Sequence, residues 1–202
     1  MSAAIKKKRD RGATQQALVE AAIAVFSEHG YDAATTREVA KRAKVSEALI
    51  QRYFEGKAGL LHAITDILMK EGNEELLANL PFVDTLEEEI LQVLTTSCTD
   101  MREKSDFIRV VMSRAIVDEK LGKQMGAHVH QKKIPLLKTR LLHYQAKGQI
   151  AQGRDLNAIA FSISGLSFLL GFMASEVFAF DRNHVTAIAK NLSGILARGA
   201  GA

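Results

Sequence analysis

Residues 35–64 read TTREVAKRAKVSEALIQRYFEGKAGLLHAI, and the sequence of caps, stops and apolar positions within them decides the fold. Thr35-Thr36-Arg37-Glu38 fits a capping box, in which Thr35 accepts from the amide three residues on while Glu38 reaches back. This predicts a short helix ending near Ala43. Lys44-Val45 interrupts it, and Ser46 suits the N-cap of a second short helix through Phe54. Glu55-Gly56 then separates a longer helix, Lys57 to about Leu80, with Pro81 marking its end. Leu60, Leu61, Ile64, Ile67 and Leu68 give that helix a core face.

Upstream, Ala17, Leu18, Ala21, Ala22, Val25 and Phe26 recur at helical spacing between Thr14 and His29, and Gly30 follows as a stop. Two short helices joined by a tight turn inside a small basic three-helix unit form a helix-turn-helix pattern. Val39, Ala40, Ala43, Val45, Ile50 and Phe54 supply small and branched side chains where the helices cross. At about 100° per residue, Glu47, Ala48, Gln51 and Arg52 share an outward face of the later helix. Such a face suits a DNA major groove, where Gln pairs with adenine, Arg with guanine, and Glu accepts from cytosine. Thr36, Arg37, Tyr53 and Lys57 are placed to meet phosphates. Any one of these alone is an ordinary solvated residue; the set at this spacing points to DNA.

The remaining chain is helical in period, at about 85–104, 106–118, 121–147 with a bend near Pro135, 155–180 and 184–198, so an all-α architecture is expected. With 202 residues, 47% hydrophobic, there is ample material for a core, and 2 prolines with 14 scattered glycines argue against a β-sandwich. Residues 1–66 carry 11 basic and 8 acidic side chains, whereas 67–202 carry 16 and 15, which puts the positive excess at the N-terminal end. The opening MSAAIKKKRDR lacks the apolar core of a signal peptide, and the single cysteine, Cys98, forms no intrachain disulfide, so a cytoplasmic protein is expected. Residues 156–175 (LNAIAFSISGLSFLLGFMAS) are uncharged and long enough to cross a bilayer, but their serines and glycines favour a helix buried between protein surfaces, and no membrane partner is expected.

The quoted stretch resembles the DNA-binding signature of the TetR family of bacterial transcriptional regulators, over residues 12–66. The resemblance implies an N-terminal helix-turn-helix head at 12–66, a connector helix, and a helical-bundle body at 67–202 that dimerises and binds a small molecule. Residues 1–11 would be a basic arm that follows the phosphate backbone or enters a minor groove. By motif position, Thr36, Arg37, Ser46, Glu47, Ala48, Leu49, Gln51, Tyr53 and Lys57 fall where family members contact operator DNA. Three positions depart from the usual pattern: Gln51 stands for a common tyrosine, Ala48 for glycine, and Leu49 for serine or threonine. The base preference is therefore not transferable, and Leu49 either touches a thymine methyl or packs inward.

The resemblance also implies that the last two helices pair with their copies across a two-fold axis, through Ile159, Ile163, Leu166, Leu170, Met173 and Val177 of one and Ile188, Leu192 and Ile195 of the other. Among aromatic and methionine side chains of the body, Met101, Phe107, Met112, Tyr144, Phe161 and Phe168 are candidates to line a pocket for a hydrophobic or amphipathic molecule. The expected partners are a double-stranded, palindromic DNA operator, a second copy of the chain and an unidentified small-molecule ligand, and the expected output is repression relieved by that ligand. No catalytic residue, cofactor or metal is expected. GxSxG, HExxH, ExxH, GxxxxGK[ST] and GxGxxG are absent, and His128 and His130, two apart on a helix, point apart. Cys98 lies on an apolar helical segment and reads as a small buried side chain. The alternative is a non-catalytic helical adaptor or ligand-binding protein without specific DNA recognition, which leaves the basic head unexplained.

Overall fold

The computed structural model describes residues 11–70 and 72–201, and every regular element among them is helical, as expected. The elements are α1 (Arg11–His29), α2 (Thr36–Arg42), α3 (Ala48–Phe54), α4 (Lys57–Lys70), α5 (Glu74–Ala78) and α6 (Leu86–Glu103). They continue as α7 (Ser105–Ala115), α8 (Glu119–His128), α9 (Ile134–Ala146), α10 (Leu156–Phe168), α11 (Ala174–Glu176) and α12 (Arg182–Gly201). π-helical turns at Val129–Lys133 and Leu169–Met173 join α8 to α9 and α10 to α11.

Local caps fix most helix ends. The Thr35 amide donates to Glu38 Oε2 (2.8 Å) and the Glu38 amide to Thr35 Oγ1 (3.2 Å), which closes the expected capping box of α2. Thr85 and Glu88 repeat the device at α6, and Asp118 and Asp155 cap α8 and α10. Gly30, at φ +78°, stops α1 with its amide on the Phe26 carbonyl. The cap expected from Ser46 does not form. Its backbone carbonyl takes the Leu49 amide (3.1 Å), and helical geometry begins one residue later, at Glu47. The connector is also shorter than expected, because α4 ends at Lys70. Gly72 and Asn73 favour a turn, and the buried Asn73 is anchored by a bond from its Nδ2 to Ser97 Oγ of α6 (3.0 Å). Where a bend is expected near Pro135, the helical run passes through a π-turn just before it, which accommodates a residue without an amide hydrogen. Arg11 already belongs to α1 rather than to an arm, and residues 1–10 lie outside the described residues.

Two apolar clusters organise the packing. Leu18, Ala22, Val39, Ile50, Leu60 and Ile64 join α1 to α4, and Val110, Val111 and Leu121 from α7 and α8 close the same cluster. The second centres on α6, α9, α10 and α12, with Ile90, Leu94, Leu137, Leu141 and Ala189. Leu156–Glu176 has the length and apolar character of a membrane span, yet α10 packs on both α6 and α9, as a core helix does. That packing takes Ile163 and Leu170 out of the expected dimer face. Ile163 and Leu170 are each only 2% exposed within their own chain, while Ile159, Leu166, Ile188 and Leu192 are half-buried against the same core. Met173 is half-buried too, and of the nine only Val177 and Ile195 are exposed.

A buried polar cluster fastens the segment before α6. Glu89 and Arg140 form an ion pair, and Arg140 donates to the Leu77 (3.1 Å), Leu80 (2.9 Å) and Pro81 (3.3 Å) carbonyls. Tyr144 donates to Glu89 Oε2 at 2.9 Å, and burial together with that carboxylate pushes its phenol pKa up to about 12.

Candidate functional site

α2 and α3 cross so that Ser46, Glu47, Ala48, Gln51, Arg52 and Arg37 are exposed, while Ile50 on the opposite side of α3 is 1% exposed. The angle between α3 and α4 depends on Gly59. A Cβ there would lie 1.5 Å from the Phe54 carbonyl oxygen, so only glycine lets the start of α4 pass the end of α3. Glu55 in the left-handed region (φ 59°) and Gly56 (φ 108°) complete the reversal.

The exposed face is partly tied down. Thr36 Oγ1 donates to Glu47 Oε1 (2.6 Å), which draws the Glu47 carboxylate to the start of α2 and leaves Gln51 and Arg52 as the long side chains of the outward face. Thr36, Glu47, Ala48, Gln51 and Gly56 border a notch of about 300 Å3 beside that face. The Tyr53 ring, half-buried, has the guanidinium of Arg52 at 5.8 Å and that of Arg11 at 5.5 Å from its centroid. The start of α1 therefore meets the end of α3. Lys57 Nζ donates to the Asp32 carbonyl (3.1 Å) and lies 4.5 Å from the Tyr31 ring centroid, so this cation is held at the α1–α2 loop. Leu49 is half-buried and packs against the head cluster, in line with the inward of its two expected placements.

Further contacts hold α2 in place. The Arg42–Glu28 ion pair (2.6 Å) ties it to α1 and holds the Glu28 carboxyl below its usual range, as Thr35 does for Glu38. Arg114 of α7 stacks over Tyr31 (5.2 Å) and meets Asp32 (3.5 Å), and Ser27 donates to Asp106 (3.0 Å). Nothing in the local sequence pattern signals these bonds, because their partners lie about 80 residues apart.

The body holds a cavity of about 380 Å3 walled by Met101, Ile108, Met112, Met125, Phe161 and Phe168. Leu68 of α4 also reaches it. Two of the six candidate pocket residues are elsewhere: Tyr144 is fully buried in the Glu89 cluster, and Phe107 packs against the head cluster. Polar groups enter from Glu74, Asp100, Lys104, His128 and Lys133. His128 bonds Glu74 (2.9 Å), His130 stacks on Phe161, and Cys98 is buried with its thiol pKa pushed up by desolvation.

Residues 18–64 match the family model described as "Bacterial regulatory proteins, tetR family". Over 116 residues the chain is 27% identical to the probable HTH-type transcriptional regulator YttP of Bacillus subtilis, covering 55% of each. The chain thus spans about half the length of that curated relative. A second Bacillus subtilis protein, the uncharacterized HTH-type transcriptional regulator YdeS, is 27% identical over 155 residues, covering 74% of this chain and 73% of its own. In fold, the chain is similar to the transcriptional regulator FadR of Bacillus subtilis, solved in complex with stearoyl-CoA, with a TM-score of 0.71 and 19% identity over 91% of this chain and 98% of that one.

Proposed function

We propose that the chain is a member of the TetR family of bacterial regulatory proteins, whose model matches residues 18–64, and that it is a homodimeric repressor that leaves a palindromic operator when a small apolar or amphipathic molecule occupies its body. The observation that carries the DNA reading is α3: a short helix pinned by Gly59 and Ile50 that leaves Gln51 and Arg52 projecting from an exposed face. Arg and Gln discriminate bases bidentately, and Thr36, Arg37, Tyr53 and Lys57 surround them as phosphate contacts. Ser46, Glu47, Ala48 and Leu49 shape the same surface, with Glu47 acting through Thr36 and Leu49 through the core. Residues 1–10 lead into Arg11 beside Tyr53, which suits an arm on the neighbouring backbone.

Dimerisation uses the outer side of α12, where Ile195 is exposed, and that of the run from α10 through α11, where Leu169 and Val177 are exposed. Two copies of α3 then stand one DNA turn, roughly 34 Å, or a multiple of it apart. Release follows from linkage. The cavity is bordered by Leu68 of α4 and by Ile108 and Met112 of α7, and the same two helices pack the head through Ile64 and Val111. A ligand that favours one placement of α4 and α7 biases the spacing of the heads, and each ligand weakens the other's binding equally.

Selection of bound sequences from a random duplex pool at about 150 mM salt tests this reading. The expected result is an enriched palindrome. No enrichment, with no binding even at low salt, would replace it with the helical adaptor.

A further inference from the structure

The body cavity is apolar on most sides, and the polar groups that enter it are unequally matched. Asp100 pairs with Lys104 at 2.6 Å and Glu74 with His128 at 2.9 Å, so both acids have a cation or imidazole of their own. Lys133 does not. Its side chain lines the cavity at 6% exposure and makes no hydrogen bond or ion pair within 4.0 Å among the described residues. Glu74 and Asp100 act on it only across space, and burial outweighs them, pushing the amine's pKa down. Lys133 closes the π-turn Val129–Lys133, whose first residue also lines the cavity. Such turns recur at functional sites because they re-aim side chains within a helix.

A buried ammonium with three donors and no acceptor in contact is completed by an anion. A cationic occupant would repel it, and a neutral one, even where its oxygen accepts a hydrogen bond, would leave the charge uncompensated. We propose that Lys133 is the anion-recognition residue of this cavity, and that the ligand is a small amphipathic carboxylate whose apolar part lies against Met101, Met112, Phe161 and Phe168. This rests on the reading of the cavity as the ligand site. The volume of about 380 Å3 lies within the range of about 300–1,000 Å3 for small-molecule sites.

Decanoate, decanol and decyltrimethylammonium share a tail and differ in the head, and calorimetric titration of each into the full chain separates the possibilities. Decanoate is expected to bind about tenfold or more tightly than decanol. Lys133→Met should abolish that advantage, bringing the decanoate and decanol affinities together, and Lys133→Arg should retain it. Thermal melts by circular dichroism confirm that the variants fold, and Lys133→Gln serves if the methionine variant does not. Decanol binding as tightly as decanoate, a preference for the cation, or a decanoate advantage that survives Lys133→Met would overturn the assignment while leaving the cavity as a ligand site. Binding of none of the three would overturn both.

Discussion

Gln51 and Arg52 are adjacent on α3, and two neighbouring side chains are committed elsewhere: Glu47 to Thr36 and Leu49 to the core. Base readout by this pair has a distinct signature. Arg52→Ala or Gln51→Ala should weaken the preferred duplex by about 1–3 kcal/mol and a scrambled duplex far less, measured by fluorescence anisotropy on both. Lys57→Ala should weaken both alike and lower the salt slope by about one. Equal losses on both duplexes for the α3 variants would remove them from base readout. At this scale the legible residues were those whose partners are close in sequence. Thr35 and Glu38 are three apart, and spacing alone predicts their box. Thr36 and Glu47, or Glu89 with Arg140 and Tyr144, meet only through the tertiary fold, so the sequence presents Glu89 and Arg140 as ordinary surface charges. Ser46 shows the opposite failure, a good local signal displaced when the backbone tightened one residue later.

Among the elements, α3 and α4 are joined by the closest approach in the head. A glycine inside a helical pattern reads only as a cost of about 1 kcal/mol relative to alanine. At Gly59 the balance reverses, since any Cβ would collide with the Phe54 carbonyl. Gly59→Ala should therefore destabilise the protein by several kcal/mol and abolish specific DNA binding, read as a lower urea midpoint and a lost anisotropy signal. Wild-type values for both would show that α3 and α4 separate without consequence. Most helix boundaries were legible because periodicity and caps are local. The direction of α10 was not. A helix that is apolar nearly all round gives no phase to its pattern, so the outward seam assigned to Ile163 and Leu170 proved to be the inward one, against α6 and α9. The break between α4 and α5 depended on Asn73 finding Ser97, which is 24 positions away.

For the whole molecule, head and body share material. Val110, Val111 and Leu121 come from the body half of the sequence and close the head cluster, and α4 and α7 reach both the head core and the cavity. Composition gave only a basic end and a neutral remainder, because a shared core leaves no mark on local periodicity. Two such chains related by a two-fold axis would read DNA at a fixed half-site spacing, which makes rotation of one half-site relative to the other the sharpest perturbation. The decisive measurement is the affinity of the wild-type protein for its selected palindrome before and after insertion of about five base pairs, half a helical turn, between the half-sites. Affinity falling to the level of non-specific DNA, a loss of about a thousandfold or more, is the expected result. Unchanged affinity would contradict a two-fold dimer that reads both half-sites with α3.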